Sequence, residues 1–322
     1  MQDIKQLFED YRLQHPFDGQ PFNLYEPANY IMNLGGKRFR PILTILAYRL
    51  FREDLEKVLP VANALEIFHN FSLVHDDIMD EAKVRRGFPT VHTKWDLNTG
   101  ILSGDVMLVL AYDYLAQFSD EAKIPALLRV FNRVAREVCE GQQMDIDFEQ
   151  RSDVTIEEYI RMIELKTSVL LATCLEMGAI AAGASAEEVQ HCYAIGRNIG
   201  IAFQLQDDLL DTFGTAEKIG KRVGGDIIQN KKTFLILKAL ELASPTQQQL
   251  LADLMDSTPE DESAKIEQVK AILMELNIPK HAQEKKNEFR SAAFEHLEAL
   301  QVPEEQKAPI RNLMEKLVSR DH

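Results

Sequence analysis

The pattern of hydrophobic and polar positions predicts helices along nearly the whole chain. Apolar patterns of helical length follow one another, and no run of alternating apolar and polar residues is long enough to predict a strand. Only 15 Gly and 12 Pro occur in 322 residues, so helices are rarely interrupted. The predicted helices span residues 39–52, 59–82, 100–118, 122–149, 155–182, 185–211, 227–243, 262–276, 280–301 and 304–319. The sequence therefore predicts an all-α fold.

Three helix starts carry recognisable chemistry. Thr155 with Glu158, and Ser185 with the glutamate three residues after it, have the spacing of a capping box, in which side chain and backbone satisfy each other's hydrogen bonds. Ser244 precedes a proline at the first helical position, and Gln247 is expected one position past the box. These signals place a helix after each of the three residues.

The pattern contains no domain linker, low-complexity tract or simple tandem repeat, so one large helical domain over residues 1–322 is expected. Hydrophobic residues make up 45% of the chain and charged residues 27%, which is typical of globular proteins. The net charge of −15 argues against nucleic acid as a partner, since phosphate backbones are bound by basic surfaces. The three cysteines form no CxxC pair, so a cytoplasmic location is expected rather than a disulfide framework.

The chain shows no targeting or membrane signal in its pattern. Residues 1–5 are polar, and no basic segment followed by an apolar one begins the sequence, so no signal peptide is expected. Charged residues interrupt the apolar stretches before they reach about 20 residues, so no membrane span is expected either.

Two DDxxD clusters stand near the ends of predicted helices. Asp76 and Asp80 lie four residues apart, as do Asp207 and Asp211, so each pair shares a helix face. Like charges at this spacing destabilise a helix, and so does negative charge at its C-terminus. A single cluster could be a solvated helix end. Two clusters, each inside an apolar run and each followed by a basic loop with glycines, favour Mg²⁺ bound between carboxylates and a phosphate.

At these residues the sequence resembles the trans-isoprenyl diphosphate synthases, the polyprenyl synthetase family. The resemblance extends over about residues 25–300 and rests on several motifs in order. These are Gly35-Gly36-Lys37-Arg38-Phe39-Arg40-Pro41, the first DDxxD with Arg85-Arg86-Gly87, Gly141-Gln142-Gln143-Met144-Asp145, Lys166-Thr167, Gln204 with the second DDxxD, and Gly220-Lys221-Arg222 followed by Asp226 and Asn230-Lys231.

The resemblance implies a single helical bundle around a central cavity. It also implies a Mg²⁺-dependent prenyltransferase that joins isopentenyl diphosphate to an allylic diphosphate. It implies three Mg²⁺ ions per site, held by Asp76, Asp80, Asp207 and Asp211, with Asp77 and Asp208 in support. The implied contacts to the allylic diphosphate are Arg85, Lys166 and Lys221, with Lys231 as an auxiliary contact. The implied site for isopentenyl diphosphate is Gly36, Lys37, Arg40, His69 and Arg86. The Lys166 carbonyl, Thr167 and Gln204 would stabilise the allylic cation.

The residues before the first cluster bear on product length. In this family, bulky side chains there close the pocket for the growing chain. Phe71, Ser72 and Phe68 stand five, four and eight residues before Asp76. An aromatic ring at the fifth position with a small residue at the fourth resembles geranylgeranyl diphosphate synthases. The expected product is mainly C20, with C15 as the rival, and a homodimer is expected from the resemblance.

Three other functions share some of these sequence features. A terpene cyclase also uses helical DDxxD sites, but its second helix usually carries an Asn/Ser/Glu triad. A di-iron carboxylate bundle would use two ExxH motifs, here Glu66 with His69 and Glu188 with His191. A non-catalytic subunit of a two-part prenyltransferase would often lack metal aspartates, which are intact here.

Overall fold

The computed structural model describes residues 2–214, 223–257 and 262–318, and it is built almost entirely of helices. The α-helices are α1 (Gln2–Gln14), α2 (Phe22–Asn33), α3 (Phe39–Arg49), α4 (Leu59–Met79), α5 (Val91–Lys94), α6 (Leu97–Ala116), α7 (Ile124–Gln150), α8 (Ile156–Ile163), α9 (Val169–Ala182), α10 (Ala186–Phe213), α11 (Gly225–Ile228), α12 (Phe234–Leu242), α13 (Pro245–Asp256), α14 (Glu262–Glu275), α15 (Ile278–Ala299) and α16 (Glu304–Val318). Short 3₁₀ turns, Leu55–Val58 and Glu121–Lys123, precede α4 and α7. The predicted all-α fold is confirmed.

Two predicted helices have a different internal structure. The stretch predicted at 155–182 contains a π-helical turn, Glu164–Ser168, between α8 and α9. The single helix predicted at 227–243 is wrong, because α11 ends at Ile228 and α12 begins at Phe234. Asn230 between them has φ +58°, a left-handed conformation that a continuous helix does not contain. Helices α1 and α2 had not been predicted.

The basic loop after the first aspartate cluster contains a small hairpin. Strand β1 (Val84–Arg85) pairs antiparallel with β2 (Phe88–Pro89). Arg86 and Gly87 have φ of +54° and +82°, and positive φ at both central residues is what a type I′ hairpin turn requires. Strands of two residues are too short for an alternating pattern, which explains why none was predicted.

The predicted capping boxes are present. The Glu158 amide donates to Thr155 Oγ1 at 3.2 Å, and the Ser185 amide donates to the carboxylate of Glu188 at 2.8 Å. The prediction for Gln247 is wrong in one detail. Gln247 stands at the third helical position and completes the box, since its Oε1 accepts from the Ser244 amide at 3.0 Å.

The contacts divide the chain into two compact units. The first comprises Met1–Asn132, Thr173–Cys192 and Gln301–Ile310, and the second comprises Arg133–Ala172, Tyr193–Leu300 and Arg311–His322. The prediction of a single domain over the whole chain stays a prediction. The first unit buries residues such as Phe8, Leu43, Leu65 and Phe68, and the second is built around a cluster that includes Leu205, Phe234 and Leu273.

Two helical stretches among the described residues are long and apolar enough to cross a membrane, by length and composition alone. The apolar window of Ile156–Ala182 is 83% buried within the protein, as in a core helix. That of Leu97–Ala116 is 39% buried.

Close packing in the first unit depends on a glycine. A Cβ on Gly178 of α9 would lie 2.3 Å from the carbonyl oxygen of Thr44 and 2.8 Å from the Cβ of Ala47, both on α3. The two helix backbones therefore touch at this point, where no side chain fits. This contact fixes α3, whose first turn carries residues of the predicted isopentenyl diphosphate site.

We expect Gly178→Ala to lower the free energy of unfolding by about 1–3 kcal/mol, because overpacking against backbone cannot be relieved by rotating a side chain. The measurement is thermal unfolding followed by circular dichroism. Gly100→Ala is the matched control, since its Cβ would come nearest to the flexible Cδ1 of Ile78, at 3.0 Å, and would meet His92 only at the ordinary contact distances of 3.4 and 3.7 Å. Equal melting temperatures for the two variants would contradict the prediction.

Candidate active site

The first aspartate cluster closes α4. Asp76 and Asp77 lie in the last turn, and Asp80 is an exposed residue just beyond it. The Nε of Arg85 donates to both carboxylate oxygens of Asp77, at 2.9 and 2.8 Å, and its Nη2 lies 3.4 Å from Asp76. Burial raises the pKa of Asp77, and the bound Arg85 opposes that shift. Arg85 thus ties the loop after α4 to the middle aspartate of the cluster.

A glycine turn precedes α3 and brings cations together in the first unit. Gly35 and Gly36 have φ of +77° and +136°, which favours glycine. The Nη1 of Arg86 donates to the carbonyl of Gly35. A Cβ on Gly36 would lie 3.3 Å from the guanidinium carbon of Arg86, so the glycine allows close approach. Lys37 is exposed beside this turn.

A buried ion pair anchors the same segment. Arg38 is 4% exposed and has φ +54°, which is unusual for a residue with a side chain. Its Nη1 donates to Glu66 at 2.6 Å, its Nε donates to Glu9 at 2.8 Å, and its Nη2 donates to the Met32 carbonyl at 2.6 Å. Glu66 is 2% exposed. These three bonds hold the strained backbone at Arg38. They therefore fix the positions of the residues on either side of it.

His69 contacts Arg40 directly. The Nη1 of Arg40 lies 3.0 Å from the Nε2 of His69. Burial, and then the charges of Arg40 and Arg86, hold the pKa of His69 well below its ordinary value of 6.5. The ring is therefore neutral, and because a guanidinium can only donate, Nε2 accepts and the proton sits on Nδ1. Arg40 and His69 are thus in contact, and the substrate site predicted for them with Arg86 stays a prediction.

Aromatic rings lie next to the first aspartate cluster, within the first unit. The ring of Phe71 is centred 4.9 Å from that of His75 and 5.6 Å from that of Phe68. Phe68 is 1% exposed and packs edge-on against Phe131 at 5.3 Å. Ser72 donates its hydroxyl to a backbone carbonyl one turn back, at 2.8 Å. Phe71 is only half-buried, so it is better placed than Phe68 to line a substrate pocket.

The second unit contains a cavity of about 190 Å³. Four predicted residues, Lys166, Thr167, Gln204 and Lys231, line it. The other lining residues are Asp145, Phe148, Glu149, Tyr159, Met162, Ile163, Asp208, Asp226, Asn230, Lys232 and Thr233. Cations, carboxylates and neutral dipoles therefore share one concave surface, which suits a charged ligand.

The middle aspartate of the second cluster is buried in that cavity wall. Tyr159 donates its hydroxyl to Asp208, and the Nε2 of Gln204 donates to the other carboxylate oxygen at 3.3 Å. Burial, with the charge of Asp226 added, raises the pKa of Asp208 to about 8. Burial also raises the pKa of Tyr159 well above 10, so it remains a donor. Because the amide nitrogen of Gln204 is bound to Asp208, its amide oxygen remains as the negative end of the dipole. That end is suited to a cation.

The Gly141–Asp145 motif serves the π-helical turn. A Cβ on Gly141 would lie 2.3 Å from the backbone nitrogen of Lys166, so α7 packs directly on the turn. One helical turn further on, Asp145 binds the Nζ of Lys166 at 2.5 Å. The two ends of the motif therefore hold the backbone and the side chain of the same lysine.

Asp211, the last residue of the second cluster, binds backbone. Its Oδ2 accepts from the Asp226 amide at 3.0 Å, and its carbonyl accepts from the Gly224 amide at 2.7 Å. It thereby fixes α11 and the turn that carries Lys231. The prediction for Lys221 lies outside the described residues, as do Gly220 and Arg222.

Sequence reasoning missed three residues that shape the site. Tyr159 precedes Lys166 by seven residues, which is two helical turns, so spacing could have placed it on the same face. Lys232 donates to the carbonyls of Phe148 and Glu149 at 2.6 and 3.2 Å and so caps the end of α7. Glu66 was considered only for an ExxH motif, and no local signal pairs it with an arginine 28 residues earlier.

The ligand chemistry fits Mg²⁺. Each aspartate cluster offers carboxylate oxygens, and Mg²⁺ is commonly bound through one or two carboxylates, waters and substrate phosphates. Among residues 2–214, 223–257 and 262–318, no three His, Cys, Asp or Glu side chains form a cage for a metal. A metal ion that takes some of its coordinating oxygens from a diphosphate does not need three protein ligands in one cluster.

The di-iron alternative does not fit the contacts. Glu66 is bound to Arg38, and His69 is bound to Arg40. Glu188 is used in the capping box of α10. Neither ExxH motif has its glutamate available for iron.

We expect acid to destabilise the fold in part through His69. An unfolded histidine titrates near about 6.5, whereas folded His69 has a much lower pKa, so between the two values the unfolded chain binds more protons. Stability therefore falls as the pH drops below about 6.5. His69→Gln should lose this part of the dependence. The measurement is the melting temperature of both proteins at about pH 7.5 and about pH 5.5. Identical decreases in melting temperature for the wild type and His69→Gln would show that His69 does not contribute to the pH dependence of stability.

Comparisons with known proteins identify the family and agree with the helical fold. The polyprenyl synthetase family model matches residues 22–273. The geranylgeranyl diphosphate synthase of Methanosarcina mazei is 42% identical over 223 residues, which are 69% of this chain and 69% of that protein. A crystal structure of a geranylgeranyl pyrophosphate synthase covers 100% of this chain and 99% of its own, with a TM-score of 0.95 at 41% identity.

A further solved structure contains bound ligands. The geranylgeranyl pyrophosphate synthase of Corynebacterium glutamicum, complexed with isoprenyl diphosphate and magnesium, covers 99% of this chain and 97% of its own, with a TM-score of 0.83 at 27% identity. Because the family model matches most of the chain and the identity to relatives is high, this chain belongs to the polyprenyl synthetase family and is a prenyltransferase.

Proposed function

We propose that this enzyme condenses isopentenyl diphosphate head-to-tail with an allylic diphosphate, giving mainly the C20 product and pyrophosphate. The observation that carries the proposal is the cavity of the second unit, where Lys166, Thr167, Gln204 and Lys231 lie together. Ammonium groups suit a diphosphate, and neutral oxygens suit a carbocation. Both are needed when an allylic carbon separates from its diphosphate.

The allylic diphosphate would be activated at the two aspartate clusters. Asp76, Asp80, Asp207 and Asp211 would hold three Mg²⁺ ions, whose Lewis acidity stabilises negative charge on a departing diphosphate. Magnesium in the Corynebacterium glutamicum structure supports this choice of metal. Asp77 and Asp208 would act in support, since one is bound to Arg85 and the other to Tyr159.

Lys166 would exchange its partner when substrate binds. Its ammonium now pairs with Asp145 at 2.5 Å, and both side chains are about a quarter exposed. A diphosphate could take over this hydrogen bond, and Arg85, Lys221 and Lys231 would contact the same diphosphate. Fixed cations aimed at the leaving group lower the barrier, because the charge they stabilise grows in the transition state.

Isopentenyl diphosphate would bind in the first unit without metal, at Gly36, Lys37, Arg40, His69 and Arg86. Arg40 and Arg86 provide charge-assisted hydrogen bonds, and neutral His69 provides a donor that does not add charge. This diphosphate must remain attached, so binding without Lewis-acid activation suits it.

The reaction balances without a protein nucleophile. The C–O bond of the allylic diphosphate breaks, and its electrons leave with pyrophosphate. The alkene of isopentenyl diphosphate forms the new C–C bond to the allylic carbon, and the resulting cation loses a proton, which pyrophosphate takes by family analogy. The carbonyl of Lys166, the hydroxyl of Thr167 and the amide oxygen of Gln204 would stabilise the cation as dipoles.

The enzyme would act as a cytoplasmic homodimer. Cys139, Cys174 and Cys192 are all free thiols, in keeping with a reducing compartment.

The terpene cyclase alternative predicts hydrocarbon from an allylic diphosphate alone. Product analysis with and without isopentenyl diphosphate separates the two reactions.

We expect Asp76→Ala and Asp207→Ala to lower turnover by at least about 10²-fold, because each removes a ligand of the activating metal. Both variants should keep the circular dichroism spectrum of the wild type. Asp253→Ala, on an exposed position of α13, is the control and should be unaffected. The measurement is condensation rate against Mg²⁺ concentration. Wild-type rates in both cluster variants would refute the proposed metal site.

We expect Phe71→Ala to lengthen the main product, because it removes the half-buried ring below the first cluster. Phe68→Ala should do so as well, since it opens space behind Phe71. Products from C5, C10 and C15 starters are compared by chromatography. Phe118→Ala, which removes another buried ring of the first unit, should lower stability without changing chain length. If neither Phe71→Ala nor Phe68→Ala alters the chain length of the product, other residues close the pocket for the growing chain.

A further inference from the structure

The turn that carries Lys166 and Thr167 is not an ordinary helix. Glu164–Ser168 is π-helical, and the amide of Val169 donates to the carbonyl of Glu164 five residues earlier. Such turns are uncommon and are frequent at functional sites. The contacts that hold it are therefore of interest.

Backbone packing holds the turn from two sides. A Cβ on Gly141 of α7 would lie 2.3 Å from the nitrogen of Lys166 and 2.7 Å from its Cα. A Cβ on Gly200 of α10 would lie 2.7 Å from the Cα of Ser168. The Ser168 hydroxyl also bonds back to the Ile163 carbonyl at 3.3 Å, across the widened turn. The turn thus sits between two helices with no room to shift toward either.

An ion pair holds the first residue of the turn. Glu164 is 7% exposed, and its Oε2 accepts from the Nη2 of Arg197 on α10 at 2.7 Å. Its Oε1 accepts from Arg161, three residues earlier on its own helix, at 3.0 Å. The hydrogen bond to Glu164 raises the pKa of Arg197. Of these two bonds to Glu164, the one to Arg197 reaches another helix, so this bond can fix where the turn lies.

We propose that Glu164, Arg197 and Gly141 are positioning residues that set the π-helical turn, so that its dipoles face the allylic cation. None of the three lines the cavity, whereas Lys166 and Thr167 do. They act through those two residues, and the inference rests on the proposed condensation. A dipole helps a cation most when it is already oriented, and a shift of about 1 Å can cost about 10²-fold in rate.

The test separates positioning from simple stability. In Glu164→Gln and Arg197→Gln, kcat should fall about tenfold or more, while KM for each substrate changes by less than about twofold. That split is expected because the dipoles act on charge that exists only after ionisation. The double variant should be no worse than either single one, and Arg197→Lys should recover part of the rate. Arg161→Gln is the matched control and should keep wild-type kcat.

A glycine pair provides a second, independent comparison. Gly141→Ala and Gly196→Ala introduce equal clashes, because a Cβ on Gly196 would lie 2.4 Å from the Cα of Ala172, beyond the turn. Both should lower the melting temperature, but only Gly141→Ala should also lower kcat. If Gly141→Ala does not fold, the glutamate and arginine variants still decide the matter.

Three outcomes would overturn the inference. One is a lower melting temperature with unchanged kcat in both Glu164→Gln and Arg197→Gln. The second is a change confined to KM, which would mean that the turn serves only to place the diphosphate contact. The third is equal loss of kcat in the two glycine variants. A wild-type enzyme that forms no prenyl diphosphate would instead refute the proposed function. If Thr167→Ala loses kcat while Glu164→Gln does not, only the positioning role fails.

Discussion

Ion pairing between arginine or lysine and a carboxylate holds segments of the candidate site in place in both units. Arg85 is bound to Asp77, Arg38 to Glu66 and Lys166 to Asp145. An unpaired buried charge is costly, and removing one partner of a buried pair destabilises a protein by about 3–5 kcal/mol. Pairing therefore holds these cations in fixed positions.

Glycine contacts provide the rigid frame behind these pairs. Gly178 allows α9 to touch α3, and Gly141 allows α7 to touch the turn at Lys166. Each contact joins backbone to backbone, so no rotamer change can relax it. Dipoles and cations mounted on such a frame lose little free energy to reorganisation during a reaction, which is the condition for electrostatic catalysis.

Much of the site was predictable because its residues belong to ordered motifs. Lys166, Thr167, Gln204 and Lys231 were expected together and line one cavity. Arg40 and His69 were expected together and are in contact. Tyr159, Arg38 and Glu66 were not assigned a role in the site, because their contributions depend on partners distant in sequence. Asp208 was expected to support the site, but only burial shows that its pKa rises to about 8.

The sequence by itself determined the helical class, most helix starts and the two aspartate clusters. Those features depend on capping, periodicity and i,i+4 spacing, which involve residues within one or two turns. The π-helical turn, the hairpin at Arg86 and the break at Asn230 were decided by the tertiary structure. Gly87 and Asn230 suit the positive φ that they adopt, but a residue that permits a turn does not by itself require one. Contacts from elsewhere hold each of the three features. The side chain of Asn230, for example, binds Lys265, 35 residues away.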